Sequence, residues 1–263
     1  MKKLALMIKY FIIAVLATLI GATAGMGGGV IIKPLMELQN EYSIIKISIL
    51  SSVTVLSMAI TATVKQKIDG FNIDINLILI SIFAALGGIF GSYLFKILID
   101  NVSLNKIQIV QSVTLIIMLS ICVFYEVLPR SNINNILVTG IVGIGLGLIS
   151  SFLGIGGGPI NVAVLYLLFR YELSKAARAS VLIILFSQTT NIISKGITGM
   201  LSTVEDYTIL FAMIPAAIIG GLIGAKLNRL LKENYIKIIY KISVIAIILI
   251  SIYNIFRIET GEI

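Results

Sequence analysis

Two glycine-rich segments carry the strongest chemical signal in the chain: Gly25-Met26-Gly27-Gly28-Gly29, followed by Pro34, and Gly154-Ile155-Gly156-Gly157-Gly158, followed at once by Pro159. Three consecutive glycines are poor helix interior, yet both segments interrupt apolar sequence. In lipid, a helix break survives only where protein or cavity water satisfies the freed backbone groups. A helix that begins after the break points unpaired N–H groups and the positive end of its dipole into the gap. That arrangement suits an anion. The backbone around Gly27, Gly28, Gly29, Gly156, Gly157 and Gly158 is therefore the candidate binding surface. Pro159 fits the first turn of such a half-helix, and Asn161 follows it. The competing use of glycine is close helix packing, which is the expectation for Gly87, Gly88, Gly91, Gly220, Gly221 and Gly224.

Side chains inside the apolar runs add candidates. Gln188 and Asn191 are costly to bury and lie three apart, so they share a helix face. Ser51 and Ser180 join them as hydrogen-bonding groups, whereas most other Ser and Thr residues there bond backbone carbonyls. Lys33, four residues after Gly29, and Arg178, early in a crossing segment, could balance an anion's charge; the alternative for both is snorkelling to the interface. The twelve acids fall at run ends, in gaps or in the tail, and there is no histidine, so no intramembrane proton relay is visible. Acid-free runs favour an anionic or neutral substrate over a cation. Without histidine no Ser–His or Cys–His pair exists, and the lone Cys122 forms neither an internal disulfide nor a thiolate metal cluster. No enzyme and no cofactor is expected.

The elements that position these groups follow from composition. Hydrophobic residues make up 58% of the chain and charged ones 12%, with mean hydropathy +1.08, which excludes an ordinary soluble domain. Apolar runs lie at about 4–25, 43–64, 75–98, 104–125, 136–154, 174–195, 206–227 and 235–256, most of them long enough for roughly 30 Å of hydrocarbon. The stretches 29–38 and 159–170 are shorter and read as re-entrant half-helices or the second parts of broken helices. A signal-peptide reading of the first 24 residues is set aside, because the same kind of segment recurs at 136–154. The net charge of +8 comes from residues in the gaps, where Lys and Arg set topology; no basic, aromatic-laced segment points to nucleic acid.

The two halves resemble each other. A slide of 129 residues carries Gly25 onto Gly154, Lys46 onto Lys175 and Ser51 onto Ser180; beyond a four-residue insertion, Gly87 falls on Gly220. Duplicated halves place a substrate site at their interface, near the midplane. Eight crossings with two re-entrant segments would leave the halves parallel, and ten segments would leave them inverted. For eight crossings, the end holding the termini would carry Lys2, Lys3, Lys9, Lys65, Lys67, Arg130, Lys195 and Arg257. The other end would carry the larger share, placing the termini outside.

These segments resemble the TauE/SafE family of sulfite and organosulfonate exporters. The likeness rests on both glycine motifs, on Lys175-Ala176-Ala177-Arg178-Ala179-Ser180 and on Phe186-Ser187-Gln188. The expected architecture is all-α and integral to the membrane. It is one membrane domain over 1–263, built of repeats at about 4–125 and 135–257, each with about four transmembrane helices and one glycine-broken or re-entrant segment. The resemblance implies a multi-pass permease of a bacterial inner membrane. It would move sulfite, a sulfonate or a related sulfur-containing anion by alternating access. The partners expected are that small anion and membrane lipid, and a homo-oligomer is compatible with the sequence. A non-transporting scaffold or sensor subunit is the alternative. Pro34 aligns with Ala163, so the two half-helices need not be equivalent.

Overall fold

A computed structural model describes residues 2–133 and 135–260. Readings that touch Met1, Asn134 or Glu262 fall outside the described residues. Among those residues the chain forms ten α-helices, one short 3₁₀ turn and no strand: α1 Lys2–Ala24, α2 Gly29–Gln39, α3 Ile44–Ile68, α4 Ile75–Asn101, α5 Leu104–Val123, α6 Ile136–Leu153, α7 Gly158–Leu168, α8 Leu173–Ile197, α9 Leu210–Leu230 and α10 Glu233–Glu259. Eight are long and apolar enough to cross a membrane. The two that are not, α2 and α7, are the short helices after the glycine motifs.

Local chemistry sets the boundaries. Ser43, Asp74 and Asn135 cap α3, α4 and α6 by accepting from the N–H groups of Lys46, Leu77 and Leu137. The apolar run beginning near 206 is not helical at its start. Asp206 accepts from the N–H of Thr208 at 2.8 Å, which turns the chain, and α9 starts only at Leu210.

Polar contacts between helix ends fix the course of the chain. At one end of the bundle, here called proximal, Lys9 and Tyr10 near the start of α1 bond Glu41 just beyond α2, at 3.0 and 2.6 Å. Arg257, near the end of α10, donates to the Leu38 carbonyl there. At the distal end, Asp74 between α3 and α4 meets Tyr171 and Lys175 at the start of α8. Arg229, at the end of α9, pairs with Asp69 at 3.0 Å. The connection before α6 returns to the end of α7, with the Ser131 and Ile133 N–H groups donating to the Leu167 and Leu168 carbonyls. So α1–α2 is a hairpin that starts and finishes at the proximal end, and α6–α7 is one that starts and finishes at the distal end.

Each hairpin makes no net crossing, and every helix of the second half therefore runs opposite to the helix in the same place of the first. Of the two arrangements the sequence leaves open, this is the one with opposed halves, and the charge assignment made for eight crossings does not apply. Lys46, Lys96 and Lys106 lie at the proximal end; Lys65, Lys67 and Arg130 lie at the distal end with Arg170, Lys175, Arg178, Arg229, Lys232, Lys237 and Lys241.

Helices α3 and α8 are the most buried of the spans and pack against each other at the centre. Around them α4 packs on α6 and α8, α9 packs on α1 and α3, and α5 meets α10. Outward-facing Ile82, Phe90, Ile141, Phe211 and Ile242 form the apolar exterior that lipid requires.

The closest approaches run over glycine. A Cβ added at Gly87 would lie 2.0 Å from the Ile144 carbonyl oxygen, and one at Gly147 1.9 Å from that of Ala84. The α4–α6 contact is thus backbone on backbone. Gly147→Ala should lower stability by about 1–3 kcal/mol through overpacking. Gly145→Ala, where a Cβ meets nothing within 4 Å, should be neutral. Thermal unfolding of the purified variants in detergent checks both.

Candidate functional site

The two glycine breaks touch. A Cβ on Gly29 would sit 2.5 Å from the Ile155 carbonyl oxygen, and one on Gly158 would sit 2.1 Å from that of Met26. Each break turns through left-handed backbone, with φ of 72° and 73° at Gly25 and Gly27 and of 66°, 87° and 66° at Gly154, Gly156 and Gly157. Residues with side chains rarely adopt that conformation. Among the described residues the N–H groups of Gly156 and Gly157 meet no acceptor.

Helix α8 runs along both breaks and presents one residue to them on each turn. Ser180 donates to the carbonyls of Gly25 at 2.7 Å and Gly158 at 3.3 Å. Ile184 packs against both Gly27 and Gly156, and Val55 of α3 against Gly29 and Gly156. The two apolar side chains thus occlude the crossing. On the proximal side of Ile184 a buried polar cluster begins. The Gln188 amide donates to Ser150 Oγ at 3.0 Å, Ser150 and Ser187 hydroxyls are 3.2 Å apart, and the Asn191 amide donates to Ser52 Oγ and to Gln188 Oε1 at 3.1 Å each. Asn191 Oδ1 has no donor.

The cluster ends on Lys195, fully buried. Its ammonium donates to Ser48 Oγ at 2.9 Å, Ser52 Oγ at 3.2 Å and the Ser48 carbonyl at 3.3 Å. Among the described residues no carboxylate lies within ion-pair distance of it. The sequence reading treats Lys195 as an interface cation. The signal that could have found it is spacing: residues 184, 188, 191 and 195 recur every three or four positions, the register of one helix face.

The other predicted residues divide. Lys33 is buried near the crossing, but its ammonium is engaged: it donates to Gln111 Oε1 at 2.5 Å and to the Leu153 carbonyl at 2.7 Å, and it lies 3.7 Å from Glu37. Glu37 is itself 5% exposed, which puts a carboxylate inside the bundle where the sequence shows one only at a run end. A water-sized cavity of about 10 Å³ adjoins this pair. Ser51 and Asn161 are fully buried, with Ser51 Oγ and both polar amide atoms of Asn161 lacking any partner. Arg178 stands apart at the distal end, stacked 5.2 Å from the Phe71 ring centroid. It is about 15 Å along α8 from Gln188 at about 1.5 Å per residue, so the structure does not bring it to the Gln188–Asn191 cluster.

Ten helices, eight of them of membrane-spanning length, packed around two crossed helix breaks define a multi-pass membrane protein. Residues 10–253 match the family described as Sulfite exporter TauE/SafE, and the chain belongs to that family. Its similar proteins include the probable membrane transporter protein MamO of Magnetospirillum gryphiswaldense, 34% identical over 113 residues, which is 41% of this chain and 18% of that protein. Another is the probable membrane transporter protein YunE of Bacillus subtilis, 34% identical over 110 residues, 40% of this chain and 39% of that protein. The chain therefore spans well under two thirds of the curated relatives it matches. No solved structure matches it.

Removing one member of a buried ion pair strands the other. Lys33→Met alone should cost about 3–5 kcal/mol, and Lys33→Met with Glu37→Leu should recover most of it. Chemical unfolding of the two variants in detergent, set against the parent, gives the comparison.

Proposed function

We propose that the protein is a permease for a small oxyanion, of the class of sulfite, sulfonates and related sulfur-containing anions, and that it works by alternating access. The observation that carries this reading is Lys195: a buried ammonium held only by neutral oxygens. A charge removed from water needs a partner, and a bound anion is the partner that this site lacks. Lys33, in contrast, already has Glu37. Donors suited to a tetrahedral or pyramidal oxyanion belong to the cluster that ends on Lys195, namely the amides of Gln188 and Asn191 and the hydroxyls of Ser48 and Ser52, and the second break leaves the N–H groups of Gly156 and Gly157 free. The family's description and the transporter names of the relatives support the same class.

Alternating access needs two related arrangements of one site. We take residues 4–125 and 135–257 as inverted repeats. Supporting this are the same succession of five α-helices in each half, their opposite sense, and the exchange of partners by which α4 packs on α6 and α8 as α9 packs on α1 and α3. The larger share of Lys and Arg at the distal end favours that end as the cytoplasmic one.

Ligands that bind the folded state raise its melting temperature by mass action. Purified protein titrated with sulfite, thiosulfate, sulfate, sulfoacetate, taurine and chloride should show a saturable rise with at least one sulfur anion. Lys195→Met should weaken that response by about tenfold or more, the worth of one charge-assisted bond, and should abolish uptake of the same anion into proteoliposomes. An undiminished response in a folded Lys195→Met variant would sink the assignment.

A further inference from the structure

The same three residue types recur at each end of the bundle, away from the glycine breaks. At the distal end, Tyr171 donates its hydroxyl to Asp74, 2.6 and 2.5 Å from the two carboxylate oxygens, and Lys175 donates to the same carboxylate at 2.9 Å. The Lys175 ammonium also lies 4.0 Å from the Tyr171 ring centroid. At the proximal end the slide of 129 residues that matches the halves places Tyr42 on Tyr171 and Lys46 on Lys175. Lys46 again stacks over its tyrosine, 4.5 Å from the ring centroid. An acid stands ahead of α9, as Asp74 stands ahead of α4, and it is Asp206.

Only the distal set is assembled. Asp206 accepts from the N–H and the hydroxyl of Thr208 at 2.8 and 2.5 Å instead, and among the described residues Lys46 forms no ion pair. Where the proximal set would close, a cavity of about 530 Å³ opens, lined by Lys3, Tyr42, Lys46, Asp206 and Thr208 among others. The Asp74 carboxyl is raised by burial but held below the ordinary range by Tyr171, Lys175 and the Leu77 N–H. The bonds from Thr208 lower that of Asp206. Both acids are therefore ionised at neutral pH, and neither set waits on a proton to form. The distal set is partly solvent-exposed, with 34% of the Asp74 side chain accessible, so its bonds are weak enough to open and close in a working cycle.

We infer that Tyr171–Lys175–Asp74 and Tyr42–Lys46–Asp206 are paired gates, one per half, of which the structure holds the distal one shut and the proximal one open. This rests on the permease reading above. When the distal gate releases, Asp206 turns from Thr208 to Tyr42 and Lys46, and the proximal cavity closes. The two gates then compete for one molecule's conformations, and weakening one raises the population in which the other is shut.

Cys122 is the only cysteine, so Met7→Cys in a Cys122→Ser background places one reporter on the wall of the proximal cavity, clear of both gates. Its rate of labelling by a charged, membrane-impermeant maleimide reads how open that end is. Asp74→Asn should slow labelling by about threefold or more, as the distal gate loses its hold. Asp206→Asn should leave labelling as fast as in the parent, since an amide oxygen can still accept from Thr208 and the charged contacts it removes, to Tyr42 and Lys46, form only in the other state. If Asp74→Asn does not fold, Tyr171→Phe removes the hydroxyl while keeping the ring beneath Lys175 and should act in the same direction. Equal labelling rates in the folded distal-gate variant and the parent overturn the gate inference, whatever the transport result. Slowed labelling in protein that takes up none of the anions tested leaves the gates standing and removes the permease reading instead.

Discussion

Backbone groups freed by a helix break cannot be left facing lipid, and the arrangement of this bundle follows from where its two breaks are kept. Each break covers the other, Gly29 against Ile155 and Gly158 against Met26, at separations that admit no side chain. Ser180 satisfies one carbonyl from each. Keeping both breaks at the centre requires two helices to enclose them, and α3 and α8 are accordingly the most buried spans. It also requires the chain to come back after each break. Hence α2 and α7 return to the ends from which α1 and α6 set out, and the second half runs opposite to the first.

Opposed halves need not be equal, and here several matched positions differ. Ser180 is bonded to both breaks, while Ser51, its counterpart, has no partner. The distal Tyr–Lys–Asp set is assembled and the proximal one is not. The position matching Lys195 in the first half is Gln66, so that half has no counterpart of the buried lysine there.

Much of the fold is legible in sequence because membrane burial writes it in long apolar runs. Nearly all spans start and stop within a few residues of those runs, and the triple glycines mark α2 and α7 correctly. The direction of the halves is not legible, since a run of 22 residues looks the same whether the chain continues across or doubles back; only contacts such as Lys9 with Glu41 decide it. Within the candidate site, Gln188 and Asn191 are readable as costly amides on one face. Lys195 escapes because a lysine near the end of an apolar run is indistinguishable from one that snorkels. Lys33 is found, but not its neutralisation: Glu37, one turn on, reads as an interfacial acid until α2 is folded back into the core.

The two buried lysines then divide the electrostatic work. Lys33 donates to the Leu153 carbonyl, and Lys195 bonds Ser48, whose hydroxyl faces Gly154, so both ammonium groups flank the start of the second break. With Glu37 beside Lys33, Lys195 is left, among the described residues, as the buried lysine with no carboxylate partner. On the proposed function, a singly charged oxyanion such as a sulfonate or hydrogen sulfite brings the buried charge to zero, and a dianion would leave an excess negative charge in low dielectric at considerable cost. Selectivity among oxyanions would thus be set by this balance more than by shape. The Lys33–Glu37 pair would act in it without touching the anion, by cancelling the charge that would otherwise draw in a second one.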